Sequence, residues 1–208
     1  MEIRNLEYAE NVILSCKFVI NMSFKDYYNK EIKTKLISEL KLKNVMECPK
    51  VTKIVINVGA GEAATNKGVL DKITQQIVTI TGQKPIITKA RKSISAYRVR
   101  KGLPIGVKVT LRGNIMYNFL DKLVKIIIPR LKDFKGISEN SIDNSGNLSI
   151  GFPEQIIFHE IEFDKIDKIR GLEVTLVTST KDRKQGKKLF ELLGIPFKGK
   201  ELKIKSKK

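Results

Sequence analysis

The chain has no tryptophan, one histidine and two cysteines, and each scarcity removes a class of function. Cys16 and Cys48 stand in unrelated contexts, and with only His159 beside them they cannot complete a four-ligand zinc site. Both are expected as reduced thiols, because 208 residues of which 41% are apolar can bury a core without disulfides or metal. Long hydrophobic runs are missing too: Asn11 to Ile20 is broken by Ser15, Cys16 and Lys17 and is too short to span a bilayer. There is no secretory-type cleavage site, and Glu2, Glu7 and Glu10 do not suit an acid-poor transit peptide, so neither export nor membrane anchoring is expected. A basic amphipathic helix with aromatic anchors, which a membrane surface would want, is also lacking. Scattered carboxylates and the absence of a G-x-S-x-G or metal-ligand spacing leave no catalytic constellation, so the expectation is a non-enzyme with no metal and no cofactor. His159, between Phe158 and Glu160, is expected as a partly buried structural residue of a strand.

Negative charge is the most telling absence. Forty Lys and Arg against 22 Asp and Glu give a formal charge of +18 and a pI near 9.8, which points to a polyanionic partner. From Lys72 to Leu120 there is no acidic residue, while ten basic ones occur: Lys72, Lys84, Lys89, Arg91, Lys92, Arg98, Arg100, Lys101, Lys108 and Arg112. An ordinary solvated face mixes both signs because a single-sign field repels itself, so the counter-charge is expected outside the chain. Within this stretch Lys89 to Gly102 (KARKSISAYRVRKG) interleaves cations with Ser93, Ser95 and Tyr97, groups that donate to phosphates or stack on bases. It is expected to be a mobile nucleic-acid-binding loop, the alternative being a merely disordered basic surface.

What is present reads as one α+β domain, with no repeat, low-complexity tract or linker dividing it. Ile32, Leu36 and Leu40 make a helical stripe within Lys25 to Leu40, and Pro49 closes that region. Lys53 to Val58 (KIVINV) is rich in β-branched residues and ends at Gly59; it is expected as a central strand. Leu70, Ile73, Ile77 and Ile80 recur at helical spacing and stop at Gly82. Ile86 to Thr88 and Ile105 to Leu111 are strand candidates, the second placing Lys108, Thr110 and Arg112 opposite Val107, Val109 and Leu111. A helix is expected from about Tyr117 to Ile128, ended or kinked by Pro129, and a turn at Asp143 to Asn147. Strands are expected at Ile156 to Phe163 and Leu172 to Val177, then a helix after Ser179-Thr180 that ends at Gly194 with Leu189, Phe190 and Leu193 facing in.

Gly59-Ala60-Gly61-Glu62-Ala63-Ala64 follows a strand and fits the phosphate turn of a dinucleotide fold. That fold also needs a helix opening directly from the glycines and an acidic residue roughly 20 residues on, where this chain has Thr79 to Gln83. A dinucleotide-binding enzyme is therefore the distant alternative. The competing reading of these glycines is a tight turn that lets a partner approach the backbone.

Ordered blocks then carry a resemblance: KIVINVGAGEA after Pro49-Lys50, ITGQKPIITKARKSI, KGLPIG, KVTLRG followed by MYNFLDKL, PRLKDFKGIS, GNLSIGFPEQIIF, KIRGLEVTLVT and LLGIPF. From Met22 to about Phe197 the chain resembles the ribosomal large-subunit protein five family of bacteria and organelles. The resemblance implies a single domain (residues 22–198), a curved, mainly antiparallel sheet with helices on one face, and 5S rRNA bound in the central protuberance. It leaves residues 1–21 as an extension and residues 199–208 as a basic tail. Carried over by position, Asn57, Gln83 and Thr110 match the family's polar RNA-contacting residues, with Lys84, Lys108 and Arg112 as charged neighbours. The loop containing Arg91, Lys92, Ser93, Tyr97, Arg98, Arg100 and Lys101 matches the segment that reaches toward the P-site tRNA. The turn with Asp143, Asn144, Ser145 and Asn147 is the expected bridge to small-subunit head protein thirteen, although Asn144 and Ser145 replace the usual glycine and basic residue. Further partners implied are large-subunit rRNA and large-subunit protein eighteen, on a cytoplasmic bacterial or an organellar ribosome. A general basic RNA-binding protein or RNA chaperone is the alternative.

Overall fold

The computed structural model describes residues 23–42, 44–64, 68–131, 136–161 and 166–198. Cys16 and the two expected terminal extensions lie outside them.

Five strands form one antiparallel sheet: β1 (Val51–Gly59), β2 (Ile86–Lys89), β3 (Pro104–Leu111), β4 (Leu148–Phe152) and β5 (Leu172–Thr178). Their order is β2-β3-β1-β5-β4, so the KIVINV segment is indeed central. Register shifts between Val51 and Lys53, and between Thr88 and Lys89, mark bulges, the devices that bend and twist a sheet.

Helix α1 runs through Phe24–Tyr27, a π-helical turn at Tyr28–Ile32 and Lys33–Leu40; α2 is Gly68–Thr81; α3 runs through Gly113–Lys122, a second π turn at Leu123–Ile127 and Ile128–Arg130; α4 is Arg183–Leu192. Strand alternation sends Ile54, Ile56 and Val58 of β1, and Val107, Val109 and Leu111 of β3, to one face. The apolar stripes of these four described helices meet that face in a single core, with Leu36, Leu120, Leu123 and Phe190 fully enclosed. Each such side chain contributes about 1.5–3 kcal/mol by leaving water. The described helices therefore cover one face and, among the described residues, leave the other open.

Two expectations need correcting. Ile156 to Phe163 is no strand: Gln155–Ile157 is a 3-10 turn, the chain turns on through Glu160, and residues 162–165 fall outside the described set. Its alternation comes from a single anchor, Phe158, which packs against Phe119 and Phe152 at centroid distances of 6.3 and 6.1 Å. The buried Gln155 amide donates to the Lys168 carbonyl at 3.0 Å and holds the turn in place. Helix α3 also begins at Gly113 rather than near Tyr117, because Arg112 still has extended backbone and only Met116 is buried in the first turn. It continues past Pro129 to Arg130, where Leu131 N–H closes on the Ile128 carbonyl.

Candidate nucleic-acid interface

The uncovered face is built by the residues that alternate with the core. Pairing places Ile86, Lys108, Asn57, Glu173 and Gly151 in one row across the five strands. The adjacent row holds Thr110, Val55, Thr175 and Ser149, the last two joined by a 3.1 Å hydroxyl contact. Asn57 and Lys108 are exposed and face each other; Thr110 is half-buried one step along. Arg112 continues the same alternation and is exposed, as is Lys84 just ahead of β2.

Gln83 does more for the fold than its sequence position suggested. Gly82, at φ +70°, ends α2, and the Thr81 hydroxyl donates to the Ile77 carbonyl at 2.7 Å while accepting the Gln83 N–H at 3.2 Å. The Gln83 side-chain amide then donates to the Thr110 carbonyl at 3.2 Å. That carbonyl lies beyond the last β2–β3 pair on that side, Ile86 with Lys108, so Gln83 continues the sheet edge with a side chain. What it can turn toward a partner is its carbonyl oxygen and second N–H.

The Lys89-to-Gly102 loop, expected to be mobile, is extensively bonded to itself. Ala90 N–H donates to Leu103 O at 2.8 Å, Gly102 N–H to Ala90 O at 2.9 Å, and Ile94 and Val99 exchange bonds of 2.9 and 3.2 Å. The Ser93 hydroxyl accepts the Lys101 N–H at 2.9 Å. Residues 91–98 are all exposed, Tyr97 to 76%. Arg98 turns the tip in the left-handed region at φ 53°.

Of the ten cations in the acid-free stretch only Lys72 meets a carboxylate among the described residues, whereas elsewhere paired cations mix with unpaired ones such as Lys33, Lys50 and Lys53. Lys72, Lys122, Lys125, Lys168, Lys187 and Lys188 each pair with a carboxylate. Among the described residues, Lys84, Lys89, Arg91, Lys92, Arg98, Arg100, Lys101, Lys108 and Arg112 enter no ion pair.

The Asp143–Asn147 turn divides its four candidates. Asp143 accepts both the backbone and side-chain N–H of Asn147, at 2.7 and 2.8 Å, and Asn147 Oδ1 accepts the Thr178 N–H at 3.0 Å. Burial would raise the Asp143 carboxyl, but these bonds and one from the Ser145 backbone outweigh it and hold it below the usual carboxylate range. Asp143 and Asn147 thus build the turn, and Asn144 and Ser145 face outward.

The glycine motif does not form a dinucleotide site. β1 runs antiparallel to both neighbours, and a 3-10 turn at Gly61–Ala64 separates the glycines from α2. His159 is exposed, off any strand, with Nδ1 3.5 Å from Glu160, whose carboxylate pairs with Lys122. Cys48 is a buried free thiol raised above its ordinary value chiefly by burial.

The open-face residues that sequence reasoning missed are Ser149 and Thr175. Their signal was available in the alternation of LEVTLVT, but the partner of that strand, and so the row, depends on sheet order.

The family model described as ribosomal protein L5 matches residues 44–100, and the model of the C-terminal part of the same ribosomal family matches residues 104–197. The large ribosomal subunit protein uL5 of Geotalea uraniireducens is 52% identical over 173 residues, covering 83% of this chain and 97% of that protein. Those of Roseiflexus sp. and Thermoanaerobacter sp. are each 51% identical, covering 84% and 83% of this chain and 97% of their own lengths. With both halves of the family matched and most of the chain aligned at such identity, this chain belongs to the ribosomal protein L5 family.

Proposed function

We propose that the open sheet face and the Lys89-to-Gly102 loop are one RNA-binding surface, through which the chain attaches 5S rRNA in the central protuberance. Family membership makes the chain a structural, non-enzymatic component of the large ribosomal subunit. The observation that carries the finer reading is the set of nine cations, unpaired among the described residues, on and beside a face that none of the described helices covers. Lys84, Lys108 and Arg112 neutralise phosphates there, and Asn57, Thr110 and the outward part of Gln83 exchange hydrogen bonds with ribose hydroxyls. The loop, with Arg91, Lys92, Ser93, Tyr97, Arg98, Arg100 and Lys101, extends the basic surface away from the sheet toward the P-site tRNA. Asn144 and Ser145 remain the outward residues for a bridge to small-subunit protein thirteen; large-subunit rRNA and protein eighteen complete the proposed partners.

The test is binding of the purified chain to 5S rRNA against an unrelated structured RNA at equal salt, with Asn57→Ala and Thr110→Val alongside. Preferential 5S binding that weakens several-fold in both variants, with melting temperature retained, is the expected result. Equal binding to both RNAs, indifferent to the substitutions, would reduce the surface to a general RNA binder.

A further inference from the structure

Glycine distribution on the open face carries a finer contact. Of the twelve glycines whose surroundings are described, six have positive φ (Gly82, Gly102, Gly113, Gly136, Gly146 and Gly194), where other residues are strained. Three more are crowded: a Cβ on Gly106 would lie 2.9 Å from the Thr88 hydroxyl and the Val58 carbonyl, one on Gly171 3.2 Å from the Phe152 carbonyl, and one on Gly186 2.5 Å from the Gly146 carbonyl. Gly59, Gly61 and Gly151 remain, each exposed, outside the left-handed region and with nothing among the described residues within 4 Å of an added Cβ. Neither backbone strain nor internal packing asks for glycine at these three positions.

Gly59 lies in register opposite Gly106, and Asn57 opposite Lys108, two residues back along the same face. Thr88 roofs Gly106, whereas Gly59 is bare. Beyond its pairing of Asn57 with Glu173, β1 runs on to Gly59 while β5 offers no further partner. Gly61 opens the following turn, and its neighbour Glu62 is neutralised by Lys168 and Arg170. The main chain is thus exposed beside Lys108, which enters no ion pair among the described residues; Glu62 is already balanced, while Glu173, opposite Asn57 on the β5 side, steers a phosphate toward Lys108. Gly151 sits past Glu173, whose carboxylate opposes a phosphate, and takes no part.

Resting on the RNA-binding reading above, we propose that the sugar-phosphate backbone of the bound RNA lies directly against the main chain at Gly59 and Gly61, a contact that the missing side chains make possible. A bulky side chain at either position holds the RNA off and separates it from Asn57 and Lys108. The same change suits the free protein: an alanine or valine loses less conformational freedom on folding than glycine does. Binding and stability therefore move in opposite directions, which is the signature to look for.

The experiment measures 5S rRNA affinity and thermal melting of the full chain for wild type, Gly59→Ala, Gly59→Val, Gly61→Ala and Lys108→Ala. The expected result is an unchanged or higher melting temperature for the glycine variants. Affinity should fall several-fold for Gly59→Ala and Gly61→Ala, and tenfold or more for Gly59→Val. Unchanged affinity in Gly59→Val while Lys108→Ala weakens binding would overturn the contact and leave the RNA-binding reading standing. A marked drop in melting temperature would equally overturn it, since the glycines would then serve the fold. Wild type with no preference for 5S rRNA would sink the parent reading and this contact with it, on the wild-type measurement alone.

Discussion

At the scale of single residues, Gly186 and Asp143 fix how the Asp143–Asn147 turn is held. A Cβ on Gly186 would stand 2.5 Å from the Gly146 carbonyl oxygen and 2.7 Å from its Cα, both backbone atoms that cannot swing aside. Gly186→Ala should therefore destabilise the chain by about 1–3 kcal/mol, read from the urea midpoint, although alanine is the better helix former. Asp143 supplies a pH dependence. Its carboxyl is held low in the folded state by Asn147 and the Ser145 backbone, so the unfolded chain binds the proton more readily. The stabilisation is present above the ordinary aspartate value, about 3.9, and is lost as pH falls through the depressed folded value. Exposure and screening limit it to less than about 1 kcal/mol. Urea midpoints at pH 6 and pH 3 should converge between wild type and Asp143→Asn at the lower pH, with wild type the more stable at pH 6. A gap that widens on acidification would contradict the assignment.

Among the elements, the basic loop is where conformation and charge can be separated. Arg98 turns its tip at φ 53°, a region that costs a non-glycine residue roughly 1–2 kcal/mol. Arg98→Gly should therefore raise stability relative to Arg98→Ala, while both lose the same cation. If Arg98 meets a phosphate, both variants lower the salt slope of RNA binding by roughly 0.7–0.9; a loss confined to one of them would mean that loop shape, not charge, governs binding. The loop's composition was legible in the sequence and its pairing was not, because the bonds between Ile94 and Val99 and between Ala90 and Leu103 are made by backbone. Elements with a full period were legible: β1 and β3 from alternation, α2 from Leu70, Ile73, Ile77 and Ile80 with Gly82 as its stop. Ile156 to Phe163 misled because one enclosed aromatic, Phe158, imitates the inward beat of a strand. Asn57, Lys108 and Thr110 could be placed on strands from sequence, but their adjacency needed the pairing of β1 with β3. Gln83 was named for a partner, and its bond to the Thr110 carbonyl emerged only once β2 was seen to end short.

Over the whole molecule, the question is which positive charges act outward. A formal charge of +18 does not by itself say, since a cation beside a carboxylate contributes little to a distant phosphate. The acid-free stretch contains both kinds. Lys72, at its start, reaches Asp167 with contacts of 2.6 and 2.7 Å, whereas Lys108 stands exposed in the open-face row beside Asn57 with no ion pair among the described residues. Releasing counterions on binding requires a cation that meets RNA phosphate, so sequence proximity predicts equal roles for the two lysines and structure predicts unequal ones. With log Kd measured against log salt for 5S rRNA, Lys108→Ala should lower the slope by roughly 0.7–0.9 and weaken binding, most visibly at low salt. Lys72→Ala should leave the slope unchanged, because its charge is already answered within the chain. Equal reductions in both variants would mean that the basic stretch acts as a diffuse field, and that the open face has no special claim on the RNA.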